Sequence, residues 1–474
     1  PVSGALNLTQ ACTLMYDLNT SQILKARAGG DDGYAHNVII SSMTIDGVNT
    51  PINSTCAATG CKDPGNGYVN AGYYAQWAVW DREYNPNSMP FASINDIIYA
   101  FIGFDKDTGN LASLDGNADS WSIPVVSKAI LQNPYMHAHL SFGGWTNNQV
   151  NTAPMFLKLS SSQASMQNFA TQAVALMKKT KFSGLDIDWE WWSEPEQAPA
   201  KQMLSFYKIL RAELDKAGAA DGKHYTLTIA VNAGVDRVNA MQDPSNPNSV
   251  ADYWKQVNTL VDQINLMSYD YHGAYDNSKP AYFHANYDFA NIPLDKQADV
   301  GQTSGWSIKA VVAAYQANGI TAKKLVLGLP AYARTMSVSG GTNGGLLQAV
   351  SGAGFGDYEA GVLDYKCLVN PVADKANGCK NVSAGLSDLV FYNSKATGTA
   401  LSAFNTYGRD AMQPWAYSPS TNTFVTFDDT WSVTAKTKAA KDSGLGGMMF
   451  WELDGDSNTP QLSLIKAVKD ELNR

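Results

Sequence analysis

Short apolar runs alternate with amphipathic segments from about residue 72 to the C-terminus. The runs with a strand-like pattern are residues 73–79, 97–104, 137–142, 184–190, 225–231, 263–269, 324–329 and 447–451. Between them, residues 165–180, 199–217, 250–261 and 307–318 repeat apolar side chains at a helical period. About eight such units predict an α/β fold of the (β/α)8 TIM-barrel type. A doubly wound sheet is disfavoured because no GxGxxG turn follows the first strand.

Two segments depart from this alternation of strands and helices. Residues 1–70 are rich in Asn, Ser, Thr and Gly, and we expect an N-terminal extension with one short strand near residues 37–41. More than 100 residues separate the seventh run from the eighth, with strand-like patches at 362–368, 388–392 and 423–427. We therefore expect a barrel over residues 71–474 that carries a small inserted α+β domain at about residues 336–425.

Composition narrows the possible partners. The 474 residues carry a net charge of −9, and 45% of them are hydrophobic and 11% aromatic, which is typical of a folded chain with a large core. No Lys/Arg stripe offers a surface for nucleic acid, and no apolar stretch approaches the roughly 20 residues that span a membrane. The sequence starts with neither a basic stretch nor an apolar segment, so we expect that a signal peptide has been removed or was never present.

The five cysteines are too few for a disulfide scaffold. Cys56 with Cys61, and Cys367 with Cys379, are close enough in sequence for local disulfides, and free thiols are the alternative. Disulfides would agree with a secreted or extracellular protein. No CxxC motif or Cys/His cluster indicates a metal site, and the sequence predicts no cofactor.

The segment GLDIDWE, residues 184–190, is the clearest candidate for a catalytic site. On a strand, Asp186, Asp188 and Glu190 share one face while the apolar residues between them take the other. Buried carboxylates so close together raise one another's pKa, which keeps one of them protonated near neutral pH. Glu190 comes last, at the C-terminal end of a barrel strand where active sites of this fold lie, and is the expected proton donor. A solvated edge strand or a site for a hard cation is the alternative.

Two further clusters end predicted strands. Met267-Ser-Tyr-Asp270 places a phenol and a carboxylate after the sixth strand. Ser141-Phe-Gly-Gly144 ends the third strand, where paired glycines allow close backbone approach or simply form a tight turn. Several tryptophans also fall at strand ends or in the following loops. Aromatic platforms beside acidic groups suit a polysaccharide groove, because sugar rings present flat C–H faces.

With these motifs, from about residue 72 to the C-terminus, the chain resembles the family 18 glycoside hydrolases, the chitinases, and most closely bacterial enzymes of the chitinase A type. Residues 141–144 match SxGG, residues 184–190 match DGxDxDxE, and residues 267–270 and 447–452 match the motifs of strands six and eight. Residues 327–334 and 359–365 resemble the borders of the chitinase insertion domain, which deepens one wall of the groove. Ser183, Trp191-Trp192 and Ala333 depart from the family pattern and bear on groove shape.

The resemblance implies a retaining, substrate-assisted hydrolysis of β-1,4-linked N-acetylglucosamine polymers. Glu190 would be the general acid/base, Asp188 would hydrogen-bond the acetamido N–H, Asp186 would hold the shared proton, and Tyr269 would orient the acetamido carbonyl. The expected substrate contacts are Tyr73, Trp77, Phe101, Trp145, Thr146, Met267, Asp270, Trp306, Arg334, Glu359 and Trp451.

Other functions remain possible at this stage. A chitin-binding lectin would lack the acid at Glu190, and an endo-β-N-acetylglucosaminidase would act on N-glycans with the same chemistry. A subunit of a larger assembly could dock through residues 1–70. A metal-dependent hydrolase would need converging His ligands, but only His272 lies near the predicted site, where a structural role is the alternative.

Overall fold

Eight parallel strands close into a barrel in chain order, with the last strand hydrogen-bonded to the first. They are β1 Val69–Ala75, β2 Asp96–Ala100, β3 His137–Gly143, β4 Gly184–Asp188, β5 Thr226–Asn232, β6 Gln263–Met267, β7 Leu325–Pro330 and β8 Gly447–Trp451. The predicted (β/α)8 barrel is confirmed.

The computed structural model describes residues 62–474, except 148–149, 192–196, 291, 371–378 and 380–385, together with the backbone of four short strands nearer the N-terminus. Those strands form two antiparallel hairpins, Thr13–Asp17 with Gln22–Arg27 and Ser42–Ile45 with Val48–Pro51. The strand predicted near residues 37–41 and the possible pair Cys56 and Cys61 lie outside the described residues.

Several strand boundaries differ from the predicted ones. The first strand ends at Ala75, and the apolar residues that follow form a 3-10 helix, Gln76–Val79. The predicted second strand is interrupted at Phe101, so Ile102–Phe104 leaves the barrel and pairs with Leu111–Ser113. The fourth and sixth strands end two residues early, at Asp188 and Met267. In each case the alternating side-chain pattern continues past the last hydrogen bond between strands, so the pattern alone does not show where the strand ends.

The helices of the barrel pack their apolar faces on the outside of the sheet. They are Gly116–Gln132, Ala153–Ser160, Gln163–Thr180, Ala200–Asp221, Val235–Ala240, Tyr253–Leu260, Ile308–Ala317, Thr430–Asp442 and Leu464–Leu472. The four predicted helices are among them. The helix Gly116–Gln132 carried a weak signal because Pro124 lies inside it; Asp115 caps its N-terminus by accepting from two backbone N–H groups.

An antiparallel sheet is built from the chain between β7 and β8. Its strands are Tyr332–Val338, Val350–Ala353, Val362–Asp364, Val390–Tyr392, Trp415–Ser418 and Thr423–Thr426. Short helices Tyr365–Val369, Gly398–Ala403 and Arg409–Ala411 accompany it. Its core contains the buried side chains of Trp415 and Phe424. A disulfide joins Cys367 to Cys379, as one of the two alternatives predicted.

The interior of the barrel is divided by polarity. The sector made by β7, β8, β1 and β2 is lined mainly by apolar side chains, including Ala71, Ile98, Val326 and Met449. The sector made by β3 to β6 is lined by buried polar side chains, a departure from the branched apolar filling usual in this fold. In the described part of the chain, no helix is both long and apolar enough to cross a membrane.

Candidate active site

The three acidic residues of the fourth strand face the barrel interior or its mouth. Asp186 and Asp188 are 0% and 3% exposed, and Glu190 follows just beyond the end of β4. The alternating residues Leu185 and Ile187 are buried in the outer hydrophobic core. An interior strand is therefore correct, and the solvated edge-strand alternative is wrong.

Asp186 is held by a ring of neutral donors from four other strands. Its Oδ2 accepts from the Tyr73 hydroxyl at 3.1 Å and from the Ser141 hydroxyl at 2.7 Å. Its Oδ1 accepts from the Thr228 hydroxyl at 2.5 Å and from the Asn265 amide at 3.4 Å. Thr228 and Asn265 were not predicted as site residues. The available signal was a polar residue at an interior position of an otherwise apolar strand.

Asp188 and Glu190 lie in surroundings that favour their protonated forms. The Oδ1 atom of Asp188 is buried and has no hydrogen-bond partner among the described residues. Burial, the charge of Glu190 and the charge of Asp186 raise the pKa of Asp188 well above its usual range. Burial and then the negative charge of Asp270 raise the pKa of Glu190 to about 7. The site can therefore hold an acidic proton near neutral pH.

Tyr269 and Asp270 follow β6, which lies two strands from β4 in the barrel. Burial, followed by the charge of Asp188, raises the pKa of Tyr269, so its hydroxyl remains protonated and can donate a hydrogen bond. Arg334 binds Asp270 through Nε at 2.7 Å and Nη2 at 2.6 Å, and the Tyr332 hydroxyl donates to the same carboxylate at 2.7 Å. Burial alone would raise the pKa of Asp270, but Arg334 and then His284 together more than offset burial and hold the pKa below its usual range. Asp270 is therefore a fixed negative charge that acts on Glu190.

Aromatic rings form a continuous surface beside the carboxylates. The Trp451 ring lies 6.0 Å from Phe101 in a nearly parallel arrangement, with an interplanar angle of 23°. Tyr73 and Trp77 lie 5.4 and 6.3 Å from the same tryptophan. Trp77 is 39% exposed and Phe101 is buried, so Trp77 extends the surface toward solvent. This surface can stack against sugar rings.

The other residues predicted to contact the substrate lie on several different elements of the fold. Trp145 and Thr146 are exposed in the segment after β3, and Met267 ends β6 partly buried. Glu359 is exposed in a turn bridged to Val362. Trp306 is set apart from the Trp451 group. Its indole N–H donates to Asp236 at 3.2 Å and its ring lies 6.3 Å from His272, on the side of β5 and β6.

His272 has a structural partner. Its Nδ1 lies 2.9 Å from the Asp276 carboxylate, and the ring is 1% exposed. Tyr275, which sequence reasoning missed, is 57% exposed at the mouth, and its hydroxyl donates to the Asp270 carbonyl at 2.5 Å. Its only sequence signal was an aromatic residue five positions after Asp270.

The paired glycines bring two strands into unusually close contact. Gly143 has φ of +120°, and a Cβ there would lie 1.9 Å from the Asp188 carbonyl oxygen. Gly144 has φ of +80°, and its Cβ would clash with the Phe101 ring at 2.4 Å. A larger residue at position 143 would displace β4, and one at position 144 would displace the aromatic surface. Both positions therefore require glycine because the backbone lies so close to its neighbours.

Comparison with known proteins agrees with this geometry. The family model described as "Glycosyl hydrolases family 18" matches residues 69–456. Chitinase 1 of Aphanocladium album is 30% identical over 434 residues, covering 88% of this chain and 87% of the relative. Chitinase A1 of Niallia circulans is 27% identical, covering 84% of this chain and 58% of the relative.

Solved structures show the same fold at lower identity. The Group IV chitinase of Ostrinia furnacalis superposes with a TM-score of 0.67 at 22% identity, covering 86% of this chain and all of that one, at 100%. A chitinase of Cycas revoluta in complex with (GlcNAc)3 superposes with a TM-score of 0.65 at 20% identity, covering 85% of this chain and 99% of that one. At these identities the likeness supports the barrel fold.

Proposed function

Because the chain belongs to glycosyl hydrolase family 18, we propose that it is a chitinase that hydrolyses β-1,4-linked N-acetylglucosamine polymers. The observation that carries the proposal is the row Asp186, Asp188 and Glu190 at the mouth of the barrel, with a protonated acid near neutral pH at its outer end. The aromatic surface at Trp451 provides a floor beside that acid for a sugar ring.

The proposed reaction retains the anomeric configuration. Glu190 gives its proton to the glycosidic oxygen, and the C1–O bond breaks as the leaving sugar departs as an alcohol. The carbonyl oxygen of the substrate's 2-acetamido group attacks C1 and forms an oxazolinium ion, so no protein nucleophile is needed. Glu190, now ionised, then takes a proton from a water molecule that attacks C1 and reopens the ring.

Asp188 is suited to stabilise the oxazolinium ion. Its buried Oδ1 has no hydrogen-bond partner among the described residues, which leaves it free to accept from the acetamido N–H. Its raised pKa favours a shared proton with Asp186 before the substrate arrives. Tyr269 has a protonated hydroxyl that can donate to the acetamido carbonyl and align it for attack on C1.

Substrate binding is proposed to run along the aromatic surface. Trp451 would lie under the sugar whose C1 reacts, with Tyr73 and Phe101 supporting it from below. Trp77 would extend the floor on one side, and the exposed Trp145 and Thr146 would extend the groove after β3. Asp270, Arg334, Met267, Glu359 and Trp306 complete the proposed set.

Location and domain organisation are parts of the same proposal. The disulfide between Cys367 and Cys379 supports secretion, because such bonds persist in oxidising compartments. We propose a catalytic barrel over residues 71–474 with an inserted domain at 336–425, supported by the separate antiparallel sheet between β7 and β8. Docking of a larger assembly through residues 1–70, and the bacterial chitinase A subtype, remain predictions.

The test is hydrolysis of chitin oligosaccharides by the wild type and by Glu190→Gln, with products followed by mass and anomeric form. We expect β-anomeric products from the wild type and a loss of about 10²–10⁴-fold in the variant. Glu213→Gln on helix Ala200–Asp221 is the matched control and should leave activity unchanged. A wild type that binds oligomers without cleaving them would favour a lectin. One that trims only N-glycans would favour an endo-β-N-acetylglucosaminidase.

A further inference from the structure

A buried imidazole–carboxylate pair lies in the barrel interior below the catalytic carboxylates. His139 on β3 is 3% exposed and Asp96 on β2 is 4% exposed. The Nδ1 atom of His139 lies 2.9 Å from Asp96 Oδ1, and its Nε2 atom lies 2.7 Å from the Thr226 hydroxyl. No step of the mechanism above uses this pair.

The pair belongs to the interior layer next to Asp186. His139 is paired with Gly184 in the β3–β4 register, and Ser141, which donates to Asp186, is paired with Asp186 itself. Gly184 leaves the space that the imidazole fills, since a Cβ there would lie 2.8 Å from His139 Cδ2. Adjacent interior layers are two residues, or roughly 7 Å, apart along a strand.

Both nitrogens of His139 lie where an imidazolium could donate. The Thr226 hydroxyl oxygen lies 2.7 Å from Nε2 of His139 and 3.2 Å from the Ser183 carbonyl oxygen, so it can accept from an N–H at Nε2 and donate to that carbonyl. The other nitrogen, Nδ1, faces a carboxylate and donates to it. Burial alone would lower the pKa of His139, but the charge of Asp96 and its hydrogen bond, together with the charges of Asp186 and Asp262, more than offset burial, and the pKa is raised.

Three acidic groups from different elements act on the imidazole. Asp96 comes from β2, Asp186 from β4, and Asp262 from the residue before β6. Asp262 is itself paired with Arg211 at 3.1 Å and with His224 at 2.8 Å.

His139 is the charged neighbour that favours ionised Asp186. The four groups that hydrogen-bond the Asp186 carboxylate are neutral. Burial raises the pKa of Asp186; the hydrogen bonds from Thr228 and Ser141, and then the positive charge of His139, act in the opposite direction.

We propose that the His139–Asp96 pair is a positioning unit of the active site. It keeps Asp186 ionised, so that protons are held on the other two carboxyl groups of the acidic row, Asp188 and Glu190. This inference rests on the proposed function, because it assigns those carboxylates to catalysis. Neither residue touches substrate, and the pair acts through Asp186.

The first test measures the charge directly in the full-length protein. Imidazole ¹⁵N shifts, assigned in the wild type by through-bond correlation to the His139 backbone, should show both nitrogens of His139 protonated between pH 5 and 8. In protein with ¹³C-labelled aspartate carboxyls, the His139→Gln variant should raise the pKa of Asp186 by about 1.7, as expected from removal of a unit charge roughly 7 Å away at an effective dielectric of about 20. A neutral imidazole across this range overturns the proposal, even if His139→Gln fails to fold.

The second test is the pH dependence of chitin-oligosaccharide hydrolysis. The acidic limb of kcat should move to higher pH by about 1.7 pH units in His139→Gln, and by less in Asp96→Asn, where the negative charge of Asp96 is lost as well, with little change in KM in either variant. His137→Gln is the matched control, because His137 is an exposed residue on the same strand. A folded His139→Gln variant with the wild-type profile overturns the proposal. If the wild type hydrolyses no chitin, the proposed function fails, while the spectroscopic test still decides the charge of the pair.

Discussion

Replacing Asp270 by Asn should lower the pH at which the enzyme loses its general acid. Glu190 must be protonated to act, so activity declines as the pH rises through its pKa, about 7. Asp270 stays ionised because Arg334 binds both of its oxygens. The Asn side chain keeps nearly the same shape and removes the charge that helps to hold the proton on Glu190.

The size of the expected pKa change follows from the two effects that raise the pKa of Glu190, which are burial and the charge of Asp270. The pKa of Glu190 rises from the ordinary 4.5 to about 7, and burial contributes more than the charge of Asp270. Asp270 therefore accounts for less than half of the rise, about one pKa unit at most, or about 1.4 kcal/mol. With a pKa near 6, about one molecule in eleven would keep the proton at pH 7, compared with about half in the wild type. Activity at pH 7 should fall about fivefold from this cause alone.

The assay is kcat/KM for a chitin oligosaccharide measured from pH 4 to 9, which reports the ionisations of the free enzyme. Asp270→Asn should move the alkaline limb down by up to about one pH unit. Asp295→Asn, at an exposed position, is the matched control. An unchanged alkaline limb in Asp270→Asn, or its movement to higher pH, would refute the reasoning.

Three further predictions concern binding and stability. Trp77→Ala should raise KM for long oligosaccharides about tenfold with a smaller effect on kcat, because an exposed stacking surface is lost; an unchanged KM would contradict it. Asp428→Asn should lower the free energy of unfolding, measured with urea, by about 3–5 kcal/mol, because the charge of the fully buried Lys436 is then unpaired. The double variant Asp428→Asn with Lys436→Met should recover part of that loss. Cys367→Ser with Cys379→Ser should lower the free energy of unfolding by about 3 kcal/mol, the loop-closure value for a separation of 12 residues; equal stability with and without reductant in the wild type would count against it.

Most of the fold could be predicted because apolar side chains repeat every two residues on a strand and about every 3.6 residues on a helix. The eighth strand, Gly447–Trp451, was predicted at its observed bounds, and the fourth within two residues. The first strand was displaced because the residues after Ala75 are as apolar as the strand itself but turn into a 3-10 helix. Strand ends depend on which neighbour supplies the next hydrogen bond, and that neighbour is distant in sequence.

The active-site carboxylates were predictable for the same local reason. The spacing of Asp186, Asp188 and Glu190 places them on one face of any strand. Their partners were not predictable from pattern alone, since Thr228 and Asn265 are common residues in strands and acquire a role only where the barrel closes around Asp186. Trp306 was grouped with the other tryptophans by its place after a strand, yet it packs near His272 and apart from Trp451.

By itself the sequence determined which side chains share a face and which chemical groups the strand ends carry, because these follow from backbone periodicity within a few residues. Only the tertiary structure decided how the ionisable groups titrate. The raised pKa of Glu190 depends on burial and on Asp270, which follows another strand, and the raised pKa of His139 depends on Asp96 of a third. Electrostatic energy is set by distances through space and by exclusion of water, and neither quantity exists until the barrel has closed.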